Sequence, residues 1–187
     1  MRPLIVTALR DELRDCAMPD DYAVLFTGVG KVNAAMALTE ALLSTPASMV
    51  INFGTAGAID AKTRGLHEIA RVVQHDMLAE PIAPRGRTPF DDCVGVIESG
   101  FGTLTCATGD RFVTTVDPWL HEHRVDVVDM ELFAIAAVCR RLQIPWRSFK
   151  FVSDSADENA AEDWQGNVDR GAASFLAQLE RLRTDTR

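Results

Sequence analysis

Residues 48–57 read Ser-Met-Val-Ile-Asn-Phe-Gly-Thr-Ala-Gly. From Ser48 to Phe53 the stretch is apolar and β-branched on both faces, the composition of a strand covered on both sides. It runs into Gly54-Thr-Ala-Gly57, which predicts a Gly-rich turn where the backbone packs closely against something. A strand covered on both faces needs helices above and below its sheet, so this segment sets the class as α/β.

The flanking sequence alternates accordingly. Pro3–Ala8 and Tyr22–Thr27 read as strands, the second closed by Gly28-Val29-Gly30. Lys31–Ser44 carries Val32, Ala35, Met36, Leu42 and Leu43 at the spacing of one helical face, and Thr45-Pro46 ends it. His67–Met77 predicts a further strand. Leu78–Asp92, with three prolines, predicts a mobile loop. Short strands are expected at Val94–Glu98, Thr103–Ala107 and Val125–Val128. Glu131–Leu142 reads as a buried helix with Arg140 and Arg141 at the negative end of its dipole. Trp146–Ser153 returns as a strand, and Trp164, Val168, Ala172, Phe175, Leu179 and Leu182 mark a long amphipathic C-terminal helix.

Composition narrows the function. The 187 residues are 47% hydrophobic, enough for one core and short of two, and no linker or repeat divides them, so residues 1–187 are expected to form a single domain. A net charge of −8, with basic residues only in small groups such as Arg85-Gly-Arg87, argues against a nucleic-acid partner. No apolar run approaches the roughly 18–20 residues that span a bilayer, so no membrane partner is expected. The N-terminus turns charged too soon for a secretory signal, and a cytoplasmic location follows. Cysteines 16, 93, 106 and 139 form no Cys-x-x-Cys pair, and His121-Glu-His123 reads as a solvated turn. No metal and no cofactor are expected.

In an α/β sheet, ligands sit beyond the carboxyl ends of the strands. Those positions hold Glu12, Glu131 and Asp154 together with two Gly-rich turns. Any one acid at a helix start is explained by the dipole alone; several in one region point to a site. Thr27-Gly-Val-Gly-Lys31 matches neither a Walker loop nor a Gly-x-Gly-x-x-Gly fingerprint.

Five segments occur in order: Thr27-Gly-Val-Gly-Lys-Val-Asn-Ala-Ala35, Asn52-Phe-Gly-Thr-Ala-Gly57, Thr108-Gly-Asp-Arg-Phe-Val113, Val128-Asp-Met-Glu-Leu-Phe-Ala-Ile-Ala136 and Phe151-Val-Ser-Asp-Ser-Ala-Asp157. The set resembles the nucleoside phosphorylase and nucleosidase superfamily, and within it the 5′-methylthioadenosine/S-adenosylhomocysteine nucleosidases. The resemblance implies a three-layer fold with a central mixed, partly barrel-like sheet flanked by helices, and a homodimer. It implies a purine nucleosidase that hydrolyses the N-glycosidic bond of an adenine nucleoside, with water as co-substrate, and releases the free base.

Residue by residue, the resemblance makes Asp154, preceded by Ser153, the acid that protonates N7 of the leaving purine. It makes Glu12 the base that activates water. Glu131 would accept from the ribose hydroxyls, Met130 would pack on the sugar and Phe112 would stack on the base, with the backbone of Val113 reading its edge. Thr55, Ala56 and Gly57 would line the site. The alternatives are a purine nucleoside phosphorylase and a catalytically silent purine-nucleoside-binding protein on the same scaffold. The superfamily's phosphorylases bind phosphate with arginines, and Ile51-Asn52-Phe53-Gly54 has none where one is expected. Arg10 is the remaining candidate, but Glu12 beside it would repel phosphate by roughly 4 kcal/mol at about 4 Å in a surface-like dielectric. The chain departs from the family in two places. It is short between Gly57 and Gly109, where Leu78–Asp92 with Phe90 is the candidate replacement for a loop over the 5′ substituent. Lys150 also stands where the nucleosidases carry arginine.

Overall fold

The computed structural model describes residues 1–14, 16–60, 62–92, 95–155, 167 and 170–185, and only the backbone at residues 154, 155 and 185. The chain opens with β1 (Leu4–Thr7), the single turn α1 (Arg10–Leu13), β2 (Ala23–Phe26) and α2 (Lys31–Ser44). Next come β3 (Val50–Ala58), β4 (Gly65–Gln74), β5 (Val96–Glu98) and β6 (Leu104–Thr108). The second half adds α3 (Pro118–Glu122), β7 (Val127–Asp129), α4 (Leu132–Leu142), β8 (Trp146–Ser155) and α5 (Ala172–Asp185).

The strands form one mixed sheet in the order β2-β1-β3-β7-β6-β4-β5, and β8 bridges β3 and β4. That bridge closes β3, β8, β4, β6 and β7 into a ring, the partly barrel-like centre expected of the fold. β3 pairs in parallel with β1 and β8, and its far end pairs antiparallel with β7. Those neighbours occupy its edges, and helices cover its two faces. On one side α2 and α4 bury Leu38, Leu42 and Ile135 against Val6 and Val50. On the other, α5 presses Phe175 flat on Phe53 with ring centroids 4.4 Å apart, and Ile5, Ile51 and Phe149 complete that layer. Ile135 is fully packed in the larger cluster, so Ile135→Val is expected to cost about 0.5–1.5 kcal/mol in urea unfolding with an unchanged m value.

The structure revises several expectations. Gly54–Gly57 is not a turn but the second half of β3. The register sets Gly54 beside Lys150, and a Cβ on Gly54 would lie 3.1 Å from Lys150 Nζ and 3.2 Å from Glu12 Oε1. The glycine therefore makes room for two charged groups rather than bending the chain. The expected mobile loop at 78–92 is tied down at its middle. Arg85 donates to the His75 carbonyl (2.7 Å) and to Asp117 Oδ2 (2.7 Å) and lies over the Trp119 ring. Phe90 at the tip of this loop is almost wholly exposed. His121 belongs to α3, with His123 at its end stacked on Trp119, so the expected turn there is a short helix. The two short strands expected at Thr103–Ala107 and Val125–Val128 lie at Leu104–Thr108 and Val127–Asp129, each ending one residue nearer the site. The C-terminal helix starts at Ala172, and Trp164 and Val168 lie outside the described residues. Among the described residues no helix is long and apolar enough to cross a membrane.

Candidate active site

A cleft of about 260 Å³ opens where β1, β3, β6 and β7 deliver their ends. Its volume lies near the lower bound of small-molecule sites, roughly 300–1,000 Å³. Glu12 and Thr55, Ala56 and Gly57 line one side, and Phe112, Val113, Met130 and Glu131 the other. Ala8, Leu9 and Val29 make the wall apolar. Ser153 is buried at the end of β8, and its carbonyl accepts from Asn167 Nδ2 (2.8 Å). The backbone of Asp154 lies beside Gly57 in the β3–β8 pairing, while its side chain is outside the described residues.

Glu12 is 4% exposed and heavily held. Oε2 accepts from Thr7 Oγ1 (2.7 Å) and from the amides of Ala8 (3.0 Å) and Leu9 (3.1 Å). Oε1 accepts from the Thr55 amide (2.9 Å) and Thr55 Oγ1 (3.2 Å). An acceptor-only carboxylate matches this ring of donors, and its rotamer is fixed from two strands. What looked like a charged helix start is thus a residue drawn inward by the ends of β1 and β3.

Glu131 stands just before α4 and accepts from the Gly30 amide (2.8 Å), which pins the Gly-Val-Gly turn to the cleft. Burial, reinforced by the nearby Asp129 charge, pushes its carboxyl up to about 7. Asp129 is the hub behind it. Asp129 Oδ1 accepts from Thr108 Oγ1 (2.6 Å), and Oδ2 accepts from the amides of Leu132 (2.8 Å) and Glu131 (3.3 Å). Lys150 Nζ closes the set at 2.8 Å from Oδ2, with both side chains 1% exposed. Burial works to raise the Asp129 pKa, but Lys150 and the hydrogen bonds outweigh it and hold it below the usual carboxylate range. Burial likewise works against a charged Lys150, and Asp129 overcomes it, raising the ammonium pKa.

A second network braces the rim. Lys31 Nζ pairs with Asp76 Oδ1 (2.5 Å), the Lys31 amide donates to Asp110 Oδ1 (2.8 Å), and the Asp110 amide donates to Asp76 Oδ2 (2.9 Å). Asp110 therefore ties the turn after β6 to the start of α2. Sequence reasoning assigned no role to Asp129 or Arg111, both of which line the cleft. The signal for Asp129 was an acid embedded in the apolar run Val125-Asp-Val-Val-Asp-Met. Among the described residues no group of three His, Cys, Asp or Glu could hold a metal ion.

The arrangement offers two carboxylates of different character across an apolar slot, an aromatic ring at its rim and a third acid on the adjoining strand. That suits cleavage of a bond between a flat base and a polyhydroxylated sugar. Comparison with known proteins agrees in kind. Residues 20–183 match the profile of the phosphorylase superfamily. A 5′-methylthioadenosine/S-adenosylhomocysteine nucleosidase from Haemophilus ducreyi is 33% identical over 161 residues, covering 73% of this chain and 68% of that protein. An aminodeoxyfutalosine nucleosidase from Helicobacter pylori is 25% identical over 183 residues, covering 85% and 80% respectively. A crystal structure of a mutant Helicobacter pylori nucleosidase with 5′-methylthioadenosine in its active site superposes with a TM-score of 0.83 over 98% of both chains, at 20% identity. That last likeness is one of fold.

Proposed function

The chain belongs to the phosphorylase superfamily and is a purine-type nucleosidase, an N-glycosyl hydrolase, and we propose that its substrate is an adenine nucleoside such as 5′-methylthioadenosine or S-adenosylhomocysteine. The observation that carries this reading is Glu12, a carboxylate fixed by the ends of β1 and β3 at the floor of the cleft.

In this reading the base stacks on Phe112 with its edge along the Val113 backbone, and the sugar lies over Met130. Glu131 accepts from the ribose hydroxyls. As the C1′–N9 bond stretches, its electron pair passes to the purine and Asp154 delivers a proton to N7, so a neutral base leaves. Water adds to C1′ and gives up a proton to Glu12. The longest contact to Glu12, from Thr55 Oγ1 at 3.2 Å, is the one this water replaces. The products are free adenine and the free 5′-substituted ribose.

Phosphorolysis fits less well. Asn52, near the place where a phosphate-binding arginine would stand, is buried; it donates to the Val6 carbonyl (3.0 Å) and accepts from Ser148 Oγ (2.8 Å). Arg10 lays its guanidinium over the Phe26 ring at 4.4 Å. A silent binder has no need of a carboxylate with so many fixed donors. Incubation with a panel of purine and pyrimidine nucleosides, following free base, tests the assignment. Rapid release from adenine nucleosides is expected, and release from pyrimidine nucleosides alone would overturn it.

Glu131 sets the pH response of binding. Ribose hydroxyls donate to the ionised carboxylate, so the nucleoside lowers a pKa that stands at about 7 in the free protein. Affinity is then expected to tighten by up to about tenfold per pH unit as pH rises toward 7, then level off. Calorimetry in buffers of different ionisation enthalpy should record proton release on binding below pH 7. A pH-independent affinity would remove Glu131 from the ribose. The same raised pKa contributes fold stability that is present below the ordinary glutamate value and lost as pH rises through about 7.

A homodimer completes the proposal. The outer face of α2 exposes Val32, Met36 and Leu43, an apolar stripe suited to a second copy. Sedimentation at micromolar concentration is expected to give twice the chain mass, and a monomer would count against it.

A further inference from the structure

Among the described residues, the cations around the cleft are committed, with one exception. Lys150 belongs to Asp129, Lys31 to Asp76, and Arg10 to the Phe26 ring. Arg111 lines the cleft next to Phe112, its side chain is exposed, and among the described residues it has no hydrogen-bond or ion-pair partner. A lone exposed arginine is ordinarily a solvated surface charge. This one sits on the wall of a cleft whose other lining side chains, Thr55 apart, are apolar or acidic, in a chain of net charge −8. Glu12 and Glu131 on the floor, together with that overall charge, repel any anion unless a local cation offsets them. Arg111 is placed to do so at the rim, beside the half-exposed ring of Phe112.

We propose that Arg111 is a specificity-determining residue that selects purine nucleosides carrying a carboxylate on a substituent that reaches the rim of the cleft past Phe112. The inference rests on the nucleosidase reading and adds to it a preference for nucleosides whose substituent carries a carboxylate. The planar guanidinium offers a carboxylate two parallel donors, and the apolar wall beside it strengthens the pair over one in open water. A neutral substituent of the same length gains neither.

The test uses the full chain and two matched pairs of ligands. The first pair is 5′-(carboxypropylthio)-5′-deoxyadenosine and its primary amide; the second is N6-carboxypropyl-adenosine and its amide. Binding by calorimetry and base release are read for wild type and for Arg111→Gln, with circular dichroism checking the fold. For at least one pair, wild type is expected to bind the acid about tenfold more tightly than the amide. Arg111→Gln should bring that ratio to near one, and added salt should shrink it in wild type. The pair that shows the preference identifies which end of the nucleoside reaches the rim. Equal affinity for acid and amide in both pairs, or a preference that survives Arg111→Gln, would overturn the proposal. Selective binding of the acid without base release would leave Arg111 in place and count against the hydrolase reading.

Discussion

Glu12→Gln is expected to lower kcat by about 10²- to 10⁴-fold while leaving the fold intact, the usual range for losing a general base. The side chain keeps its length and volume, so loss of the base and not of packing is what the substitution reads. The structure adds a specific reason for a large effect. Five donors converge on the two oxygens of Glu12. An amide in that place presents one oxygen and an NH2 group, so backbone donors from Ala8 and Leu9 or from Thr55 must face another donor. The water then loses its acceptor and its seat together. Nucleoside affinity should change far less than kcat, because Glu131, Met130 and Phe112 are untouched. Steady-state kinetics with 5′-methylthioadenosine check this, and wild-type turnover in the variant would take Glu12 out of the mechanism.

Lys150→Met is expected to be the most damaging single change to stability, at about 3–5 kcal/mol. Removing one partner of a buried ion pair strands the other. Asp129 would be left with the amides of Glu131 and Leu132 and the hydroxyl of Thr108, but without its counter-charge. Because Asp129 also holds the start of α4, the damage should reach the ribose side of the cleft. Lys150 is one of the charges that lowers the Glu131 pKa, so its loss raises that pKa further. The pH at which nucleoside affinity levels off should move upward with it. Adding Asp129→Asn to Lys150→Met should recover part of the lost stability, since no uncompensated charge remains. Denaturant unfolding of the single and double variants measures both effects. A Lys150→Met protein as stable as wild type would show that the pair contributes nothing.

Much of this molecule can be read from its residues because local rules and tertiary needs coincide there. The bounds of Lys31–Ser44 were readable to the residue, since a glycine precedes it, apolar residues recur along it at helical spacing and Thr45-Pro46 stops it. The face so read is not the one that meets the core: Val32, Met36 and Leu43 are exposed, and Ala34, Leu38 and Leu42 are buried. Glu131 and Met130 were found because a strand and a helix meet at them. The glycines of β3 misled for a physical reason. Gly54 looks like a bend when only its neighbours in sequence are considered, yet its missing side chain accommodates Lys150 and Glu12 across the sheet. The Asp129–Lys150 pair is invisible to any local pattern. It exists because β7 and β8 both pair with β3, and only that register brings the two charges together. The loop at 78–92 carries proline signals for irregular backbone, but the clamp by Arg85 depends on Asp117 and Trp119 arriving from a distant segment.

The most direct measurement follows 5′-methylthioadenosine in phosphate-free buffer and identifies the sugar product. Water as the nucleophile predicts adenine and free 5-methylthioribose in equal amounts, at a rate that added phosphate leaves unchanged. Turnover only when phosphate is supplied, with a sugar 1-phosphate as product, would contradict the account.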